Sequence, residues 1–381
     1  MNDPSQVQSL AFELIRRESV TPADAGCQSL LTERLSRLGF QCEQIDFGEV
    51  LNLWAWHGEG EPTLVFLGHT DVVPPGPPGQ WRSPPFEPTV DGELLRGRGA
   101  ADMKGAVAAM VCAMERFVSE NPDHAGRLGL MLTSDEEGIA VDGIKRVVPE
   151  LTSRGIRIDY CLVGEPSSLE RLGDTIRVGR RGSLNGRLTV HGVQGHAAYP
   201  DKADNAIHRA AGAVAELVAQ QWDQGNEFFP PTSFQISDIQ AGVGATNVIP
   251  GRLEMAFNFR FCPESSADSL EQRVDEICQA HELKYELSWH LSGEPFFTPD
   301  GPLVEAVTRS VAEALGAEPR ADTGGGTSDG RFVAPAGAQV VELGLVNATI
   351  HQVNESTLLS DMDKLADIYL SVIRKMLKGS A

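Results

Sequence analysis

Thr63-Leu-Val-Phe-Leu-Gly-His-Thr-Asp71 is a short apolar run that stops at Gly68 and then delivers two metal-competent side chains, His69 and Asp71. A buried strand brings ligands to the rim of a sheet in this way. Residues two apart in an extended backbone project to the same side. The Asp71 carboxylate is therefore expected to reach the His69 imidazole and fix its tautomer and orientation.

Two more stretches repeat the pattern. Residues 128–133 run into Ser134-Asp135-Glu136-Glu137-Gly138, and residues 158–163 into Gly164-Glu165-Pro166. Adjacent glutamates commonly open a solvated helix. Directly behind a buried strand they can instead divide labour, one binding a metal while the other moves a proton. Three strands ending in acid or His describe the rim of an α/β sheet, where ligands bind outside the strand carboxyl ends.

Between the first two strands lies Leu95-Arg-Gly-Arg-Gly-Ala-Ala-Asp-Met-Lys-Gly105, ahead of a helical run over residues 106–120. It echoes a dinucleotide fingerprint, but Asp102 stands where the third Gly belongs, and a carboxylate there repels a pyrophosphate. Two readings of Asp102 stay open, a helix N-cap and a metal ligand.

Further out, residues 4–17 and 28–38 carry apolar residues at helical spacing, residues 52–56 read as a strand, and the Pro- and Gly-dense residues 73–88 form a long loop beside His69. From residue 183 the pattern changes to strand (184–191), helix (205–220), strands (233–240 and 252–261), helix (266–281) and strand (284–291). That order is the split β-α-β-β-α-β sandwich. The expected organisation is a catalytic domain in two parts, 1–181 and 295–381, with an inserted domain at 182–294. The second part supplies a helix over 302–315, the loop Thr323-Gly-Gly-Gly-Thr-Ser-Asp-Gly-Arg331, a strand over 340–343, His351 and a closing helix over 362–377. The Gly-rich loop lacks the Lys of a P-loop; its amides with Arg331 suit a carboxylate.

A formal charge of −21 argues against nucleic acid or an anionic membrane as partner. No apolar run is long enough to cross a bilayer, and the first residues lack a basic region followed by an apolar segment, so a cytoplasmic protein is expected. Six scattered cysteines without a Cys-x-x-Cys pair suit reduced thiols, which leaves His and carboxylates as metal ligands. Two His and at least three carboxylates fit a pair of divalent ions, zinc first, with cobalt or manganese as substitutes. Two such ions about 3.5–4 Å apart acidify a shared water and polarise a carbonyl, which is hydrolytic chemistry.

The motifs Gly-His69-Thr-Asp71-Val-Val-Pro, Gly-Arg-Gly-Ala-Ala-Asp102-Met-Lys-Gly, Thr-Ser-Asp-Glu136-Glu137-Gly, Val-Gly-Glu165-Pro, Gly-His196-Ala-Ala-Tyr199-Pro and Thr-Ile-His351 resemble the M20 family of di-zinc metallopeptidases and deacylases. The resemblance covers nearly the whole chain in order. It implies an α/β catalytic domain, a mixed sheet with helices on both faces, carrying an inserted ferredoxin-like α+β lid and dimerisation domain. It implies that His69 and Glu165 bind one zinc, Glu137 and His351 the other, and Asp102 both, with a cis peptide after Asp102. Glu136 would be the general base, Asp71 would orient His69, and His196 would serve the partner subunit of a homodimer by stabilising the oxyanion.

Val-Gly-Arg180-Arg181-Gly-Ser183, Thr-Asn247-Val-Ile-Pro and Gly-Gly-Gly-Thr327-Ser-Asp-Gly-Arg331-Phe narrow the resemblance to desuccinylases of the family. Arg180, Ser183, Tyr199, Asn247, Arg260, Ser292, Thr327 and Arg331 would grip an anionic small-molecule substrate. The ligand positions alone leave acetylornithine deacetylase or another M20 deacylase open, and a silent metal- or amino-acid-binding homologue is the reading outside enzymes.

Overall fold

Every residue of Thr63–His69 is buried, because this strand lies inside the sheet with neighbours on both sides. The computed structural model describes residues 4–377. Thr63–His69 runs parallel to Arg127–Thr133 on one side and Tyr160–Val163 on the other. The three strands that end in His or acid are thus immediate neighbours and finish at the same rim.

Among the described residues the sheet has eight strands, in the spatial order Gln41–Gln44, Asn52–His57, Arg127–Thr133, Thr63–His69, Tyr160–Val163, Gln339–Glu342, Thr175–Arg177 and Arg320–Asp322. It is mixed. Asn52–His57 pairs antiparallel with both its neighbours, while Gln339–Glu342 joins Tyr160–Val163 in parallel. The helices Gln6–Ile15, Lys104–Glu120, Pro302–Leu315 and Leu359–Met376 share one core with Leu64, Phe66, Leu128, Leu130, Leu162 and Val341. Val65, Leu67, Met131, Cys161 and Val340 are equally buried but alternate with that set, so they point to the other face. Ile144–Ser153 packs there, against Arg127–Thr133. Covering both faces explains why these strands read as continuous apolar runs. Each fully buried Leu or Phe among them contributes about 1.5–3 kcal/mol.

Two glycines shape the rim. A Cβ on Gly68 would come within 2.7 Å of Met103 Cε, and one on Gly164 within 2.6 Å of the same atom. The residue after Asp102 is therefore seated between the strand ends that carry His69 and Glu165.

A second unit comprises Arg180–Phe296 with Thr323–Thr327; the first comprises the rest. The changeovers lie at 179/180 and 296/297, two residues outside the boundaries expected from the sequence on either side. The Thr323–Thr327 segment groups with the insertion, which the sequence reading left in the catalytic part. In chain order the second unit has strand Gly182–His191, helix Ala206–Ala219, strands Ser233–Ala241 and Arg252–Phe261, helix Ala267–Ala280 and strand Tyr285–Gly293. The sheet order places Gly182–His191 between Arg252–Phe261 and Tyr285–Gly293, with Ser233–Ala241 at an edge. Leu253, Met255, Phe257, Phe259 and Phe261 alternate with more exposed residues. One face is thereby apolar, and both helices pack against it. Among the described residues no helix is long and apolar enough to cross a membrane.

Candidate metal centre

The sheet rim of the first unit gathers His69, Asp71, Asp102, Glu136, Glu137, Glu165 and His351. His69 ends its strand, Glu165 lies two residues beyond Tyr160–Val163, and Glu136 and Glu137 follow Arg127–Thr133 in a turn. The two glutamates do not open a helix; the next one begins at Ile144. Asp102 precedes the helix Lys104–Glu120, whose N-cap position is taken by Met103 without a side-chain cap. The N-cap reading of Asp102 is thus replaced. Its carboxylate turns away from the helix amides, and the Asp102–Met103 peptide is cis.

Asp102 faces two imidazoles at once. Its Oδ1 lies 3.3 Å from His69 Nε2 and its Oδ2 3.4 Å from His351 Nε2. Each imidazole nitrogen meets a second carboxylate, Glu165 Oε1 at 3.6 Å from His69 and Glu137 Oε1 at 3.0 Å from His351. Two His–carboxylate pairs therefore share one central Asp. His69, Asp102 and Glu137 each offer a ligand atom within 4.8 Å of the other two, and so do His69, Glu136 and Glu165.

Asp71 meets His69 through its backbone as well as its carboxylate. His69 Nδ1 lies 2.9 Å from the backbone carbonyl of Asp71, while the Asp71 carboxylate is 3.7 Å away. A carbonyl can only accept, so Nδ1 carries a proton, and Nε2 is the ring atom turned toward Asp102 and Glu165. The Asp71 carboxylate accepts the amide N–H groups of Glu136 at 3.4 Å and Glu137 at 3.1 Å, fixing the acidic turn against the strand end.

Five carboxylates around two imidazoles leave an excess of negative charge in a largely buried place. Burial and the charge of Asp329 raise the Glu136 carboxyl well above its usual range; burial, Asp102 and Glu136 do the same to Glu165. Burial also acts to raise Asp102, but the imidazoles of His351 and His69 outweigh it and hold that carboxyl low. Hydrogen bonds to Asp102 and Glu137 push the half-exposed His351 up to about 10. Protons and imidazolium charge here do the work that cations would do. The donor set, oxygen and imidazole nitrogen without thiolate, could hold two divalent ions.

Sequence reasoning missed three residues around this centre. Glu355 receives the amides of Ala101 and Asp102, and Arg98 pairs with it at 2.7 Å. Asp329 is a third; burial pushes it up to about 6, and its Oδ1 has no hydrogen-bond partner among the described residues. Arg331 is buried 3.7 Å from Asp329, and its Nε meets no acceptor there.

The remaining residues singled out from the sequence lie in the second unit. Ser183 and Arg260 are paired across neighbouring strands. Asn258 donates to Ser183 Oγ and to Asn185, and Asn185 donates to Ser292 Oγ, so Ser183, Arg260 and Ser292 share one polar face. Asn185 and Asn258 went unnoticed, although Ser183-x-Asn185 and Asn258-x-Arg260 alternate as a strand face does. Arg180 is buried and donates to the Gly324 carbonyl at 2.8 Å, three residues before Thr327. His196, Tyr199 and Asn247 form another group: the Ala197 amide donates to the Asn247 carbonyl, and the His196 and Tyr199 rings lie 5.6 Å apart. The Ala198 amide donates to His196 Nδ1 at 3.0 Å. Nδ1 is thereby an acceptor, and the exposed ring carries its proton on Nε2.

The profile of Peptidase family M20/M25/M40 matches residues 65–375. The succinyl-diaminopimelate desuccinylase of Alkalilimnicola ehrlichii is 60% identical over 373 residues, 98% of this chain and all of that protein. Among solved structures, the M20 family metallo-carboxypeptidase Sso-CP2 from Sulfolobus solfataricus superposes with a TM-score of 0.83 at 17% identity, covering 99% of both chains. The Bacillus subtilis YXEP protein, described as a dinuclear metal binding peptidase from the M20 family, gives 0.72 at 16% identity, covering 96% of this chain and 97% of that one.

Proposed function

This chain belongs to peptidase family M20/M25/M40, and from that premise we propose that it is a di-zinc amidohydrolase that cleaves N-succinyl-LL-2,6-diaminopimelate to succinate and LL-2,6-diaminopimelate in lysine biosynthesis. The observation that carries the hydrolytic reading is Asp102, whose two oxygens address separate His–carboxylate pairs. The substrate is argued from the name borne by relatives of 56–60% identity along 98% of the chain.

His69 and Glu165 would hold one ion, Glu137 and His351 the other, and Asp102 both. Bound there, the ions supply Lewis acidity toward a water and the acyl carbonyl. Glu136 takes the proton of the attacking water and returns it to the leaving amine nitrogen as the C–N bond breaks. Its raised affinity for a proton, from burial and nearby negative charge, supports this shuttle. Asp71 keeps Glu136 in place through the backbone of the acidic turn.

His196 serves as a donor to the carbonyl oxygen as it gains charge. The proton on Nε2 supports that role, since only a donor stabilises an oxyanion. In this reading the inserted unit is both lid and dimer interface, and His196 acts in the partner subunit. The exposed Ile207, Val218 and Ile239 on that unit support an apolar contact. The substrate carries three carboxylates at neutral pH, and Arg180, Arg260 and Arg331 match them through guanidinium forks, with Ser183, Tyr199, Asn247, Ser292 and Thr327 as neutral donors. Six cysteines without a disulfide suit a reducing compartment, which supports action in the cytoplasm.

The test is amide hydrolysis by purified, zinc-loaded protein, with N-succinyl-LL-diaminopimelate and N-acetylornithine compared under matched conditions and with a chelated control. A strong, chelator-sensitive preference for the succinyl substrate is expected. Preference for acetylornithine keeps the chemistry and overturns the substrate; hydrolysis of neither overturns the catalytic reading in favour of a silent binding homologue.

A further inference from the structure

Glu355 is almost fully buried, yet its carboxylate is saturated with donors from one stretch of backbone. Oε1 accepts the N–H groups of Ala101 at 2.9 Å and Asp102 at 3.0 Å; Oε2 accepts that of Gly99 at 3.0 Å and Arg98 Nη1 at 2.7 Å. Three amides and a guanidinium, all from the segment that ends in Asp102, close on one side chain.

The same residue belongs to the loop that carries His351, four positions earlier. Immediately after it, Ser356–Leu358 pairs antiparallel with Leu94–Arg96, the strand that leads into the Asp102 segment. Asn354 adds a second tie, accepting the Arg82 amide at 2.7 Å. Arg98 also donates to the Pro74 carbonyl at 3.4 Å and stacks over Trp81. The loop after Asp71, the Asp102 segment and the His351 loop therefore meet at the Arg98–Glu355 pair.

We propose that Glu355 is a positioning residue for the candidate metal centre, holding the Asp102 backbone so that one carboxylate oxygen addresses His69 and the other His351. This rests on the metal-dependent reading above. The physical reason is distance. Asp102 has a short side chain, so where its two oxygens lie is set by its own backbone, and Glu355 binds that backbone at the Asp102 N–H itself. Fixing the His351 loop with the same carboxylate makes the separation of Asp102 and His351 a property of one residue. Groups behind metal ligands commonly change affinity by about 10–100-fold when removed. The loss should fall mainly on the ion held by Glu137 and His351.

Cobalt(II) is the probe, because its visible absorption reports coordination without turnover. Wild-type protein stripped with chelator should take up two equivalents; failure to do so overturns the metal reading itself, separately from the role of Glu355. Glu355→Gln keeps the shape but turns an amide N–H₂ toward backbone donors. The folded variant, checked by circular dichroism and melting, should bind the first equivalent as wild type does and the second about 10–100-fold more weakly, with an altered visible spectrum. Glu355→Asp, which keeps the charge, should fall between the two. Wild-type affinities and spectrum in both variants would overturn the proposal. Should neither variant fold, amide exchange in the wild type decides: cobalt should slow exchange at Gly99, Ala101 and Asp102 together with residues 351–355. Slowing confined to the His351 loop would overturn it.

Discussion

His351 Nε2 and Glu137 Oε1 lie 3.0 Å apart although 214 residues separate them in the chain. The pair joins the turn after an inner strand to a loop just before the last helix. Half of the candidate centre therefore depends on a contact that only the finished fold provides.

Replacing His351 with Ala should remove one of the two ions and spare the other, since His69 keeps its contacts with both Glu165 and Asp102. Metal analysis after gel filtration would read one tightly held equivalent in place of two. Two retained equivalents would show that His351 is not a ligand.

Glu136→Gln keeps the size of the side chain and removes its basicity. It should leave metal content unchanged and lower turnover by about 10²–10⁴-fold, the scale of a lost general acid–base group. Glu136 also has an oxygen within reach of His69 and Glu165. Lost metal with turnover per loaded site preserved would make it a ligand.

Arg260 is paired with Ser183 on the polar face of the inserted unit, away from the metal ligands in sequence. Arg260→Met should raise KM for the succinyl substrate far more than it changes kcat or metal content. An unchanged KM would remove Arg260 from the substrate grip.

A fourth prediction concerns stability. His57 Nδ1 lies 3.0 Å from His124 Nε2 in the first unit. Burial lowers both imidazoles below their usual range, and at His57 the facing His124 adds to it. The unfolded chain then binds more protons than the folded one just below the ordinary His value of about 6.5. The pair's contribution is complete above that pH and is lost as pH falls through it toward the depressed folded values. Melting curves recorded from about pH 7.5 to 5.5 should show wild type losing more stability than His57→Gln. Parallel curves for the two proteins would refute the linkage.

The rim was legible in the sequence because its signals are local. Apolar runs ending at His69, at Glu136 and Glu137, and at Glu165 mark strand ends by themselves, and parallel pairing brings them to one side. The alternation in Arg252–Phe261 likewise announces a one-sided sheet. Glu355 was illegible for the opposite reason. It is a single acid in Asn-Glu-Ser, and its partners are amides about 250 positions away that carry no side-chain signature. At Asp71 the period-two geometry predicts a side chain that reaches His69, at 3.7 Å, but not the nearer claim of its own carbonyl. At Asp102 the sequence left an N-cap and a metal ligand open, and Met103 holds the N-cap place while the carboxylate faces two imidazoles.

The strand Gln339–Glu342 lies inside the sheet, between Tyr160–Val163 and Thr175–Arg177, and it is made after the whole insertion. His351 follows it. A ribosome thus releases the first four proposed ligands long before the fifth, and throughout that interval the nascent chain has a sheet with a missing strand and a candidate centre with a missing corner. Closing the sheet and completing the candidate centre fall to the same stretch after the insertion, so a polypeptide stopped before it lacks both together. In the proposed centre the half around Glu137 and His351 is therefore the late one, while His69, Asp102 and Glu165 are already made before the insertion begins.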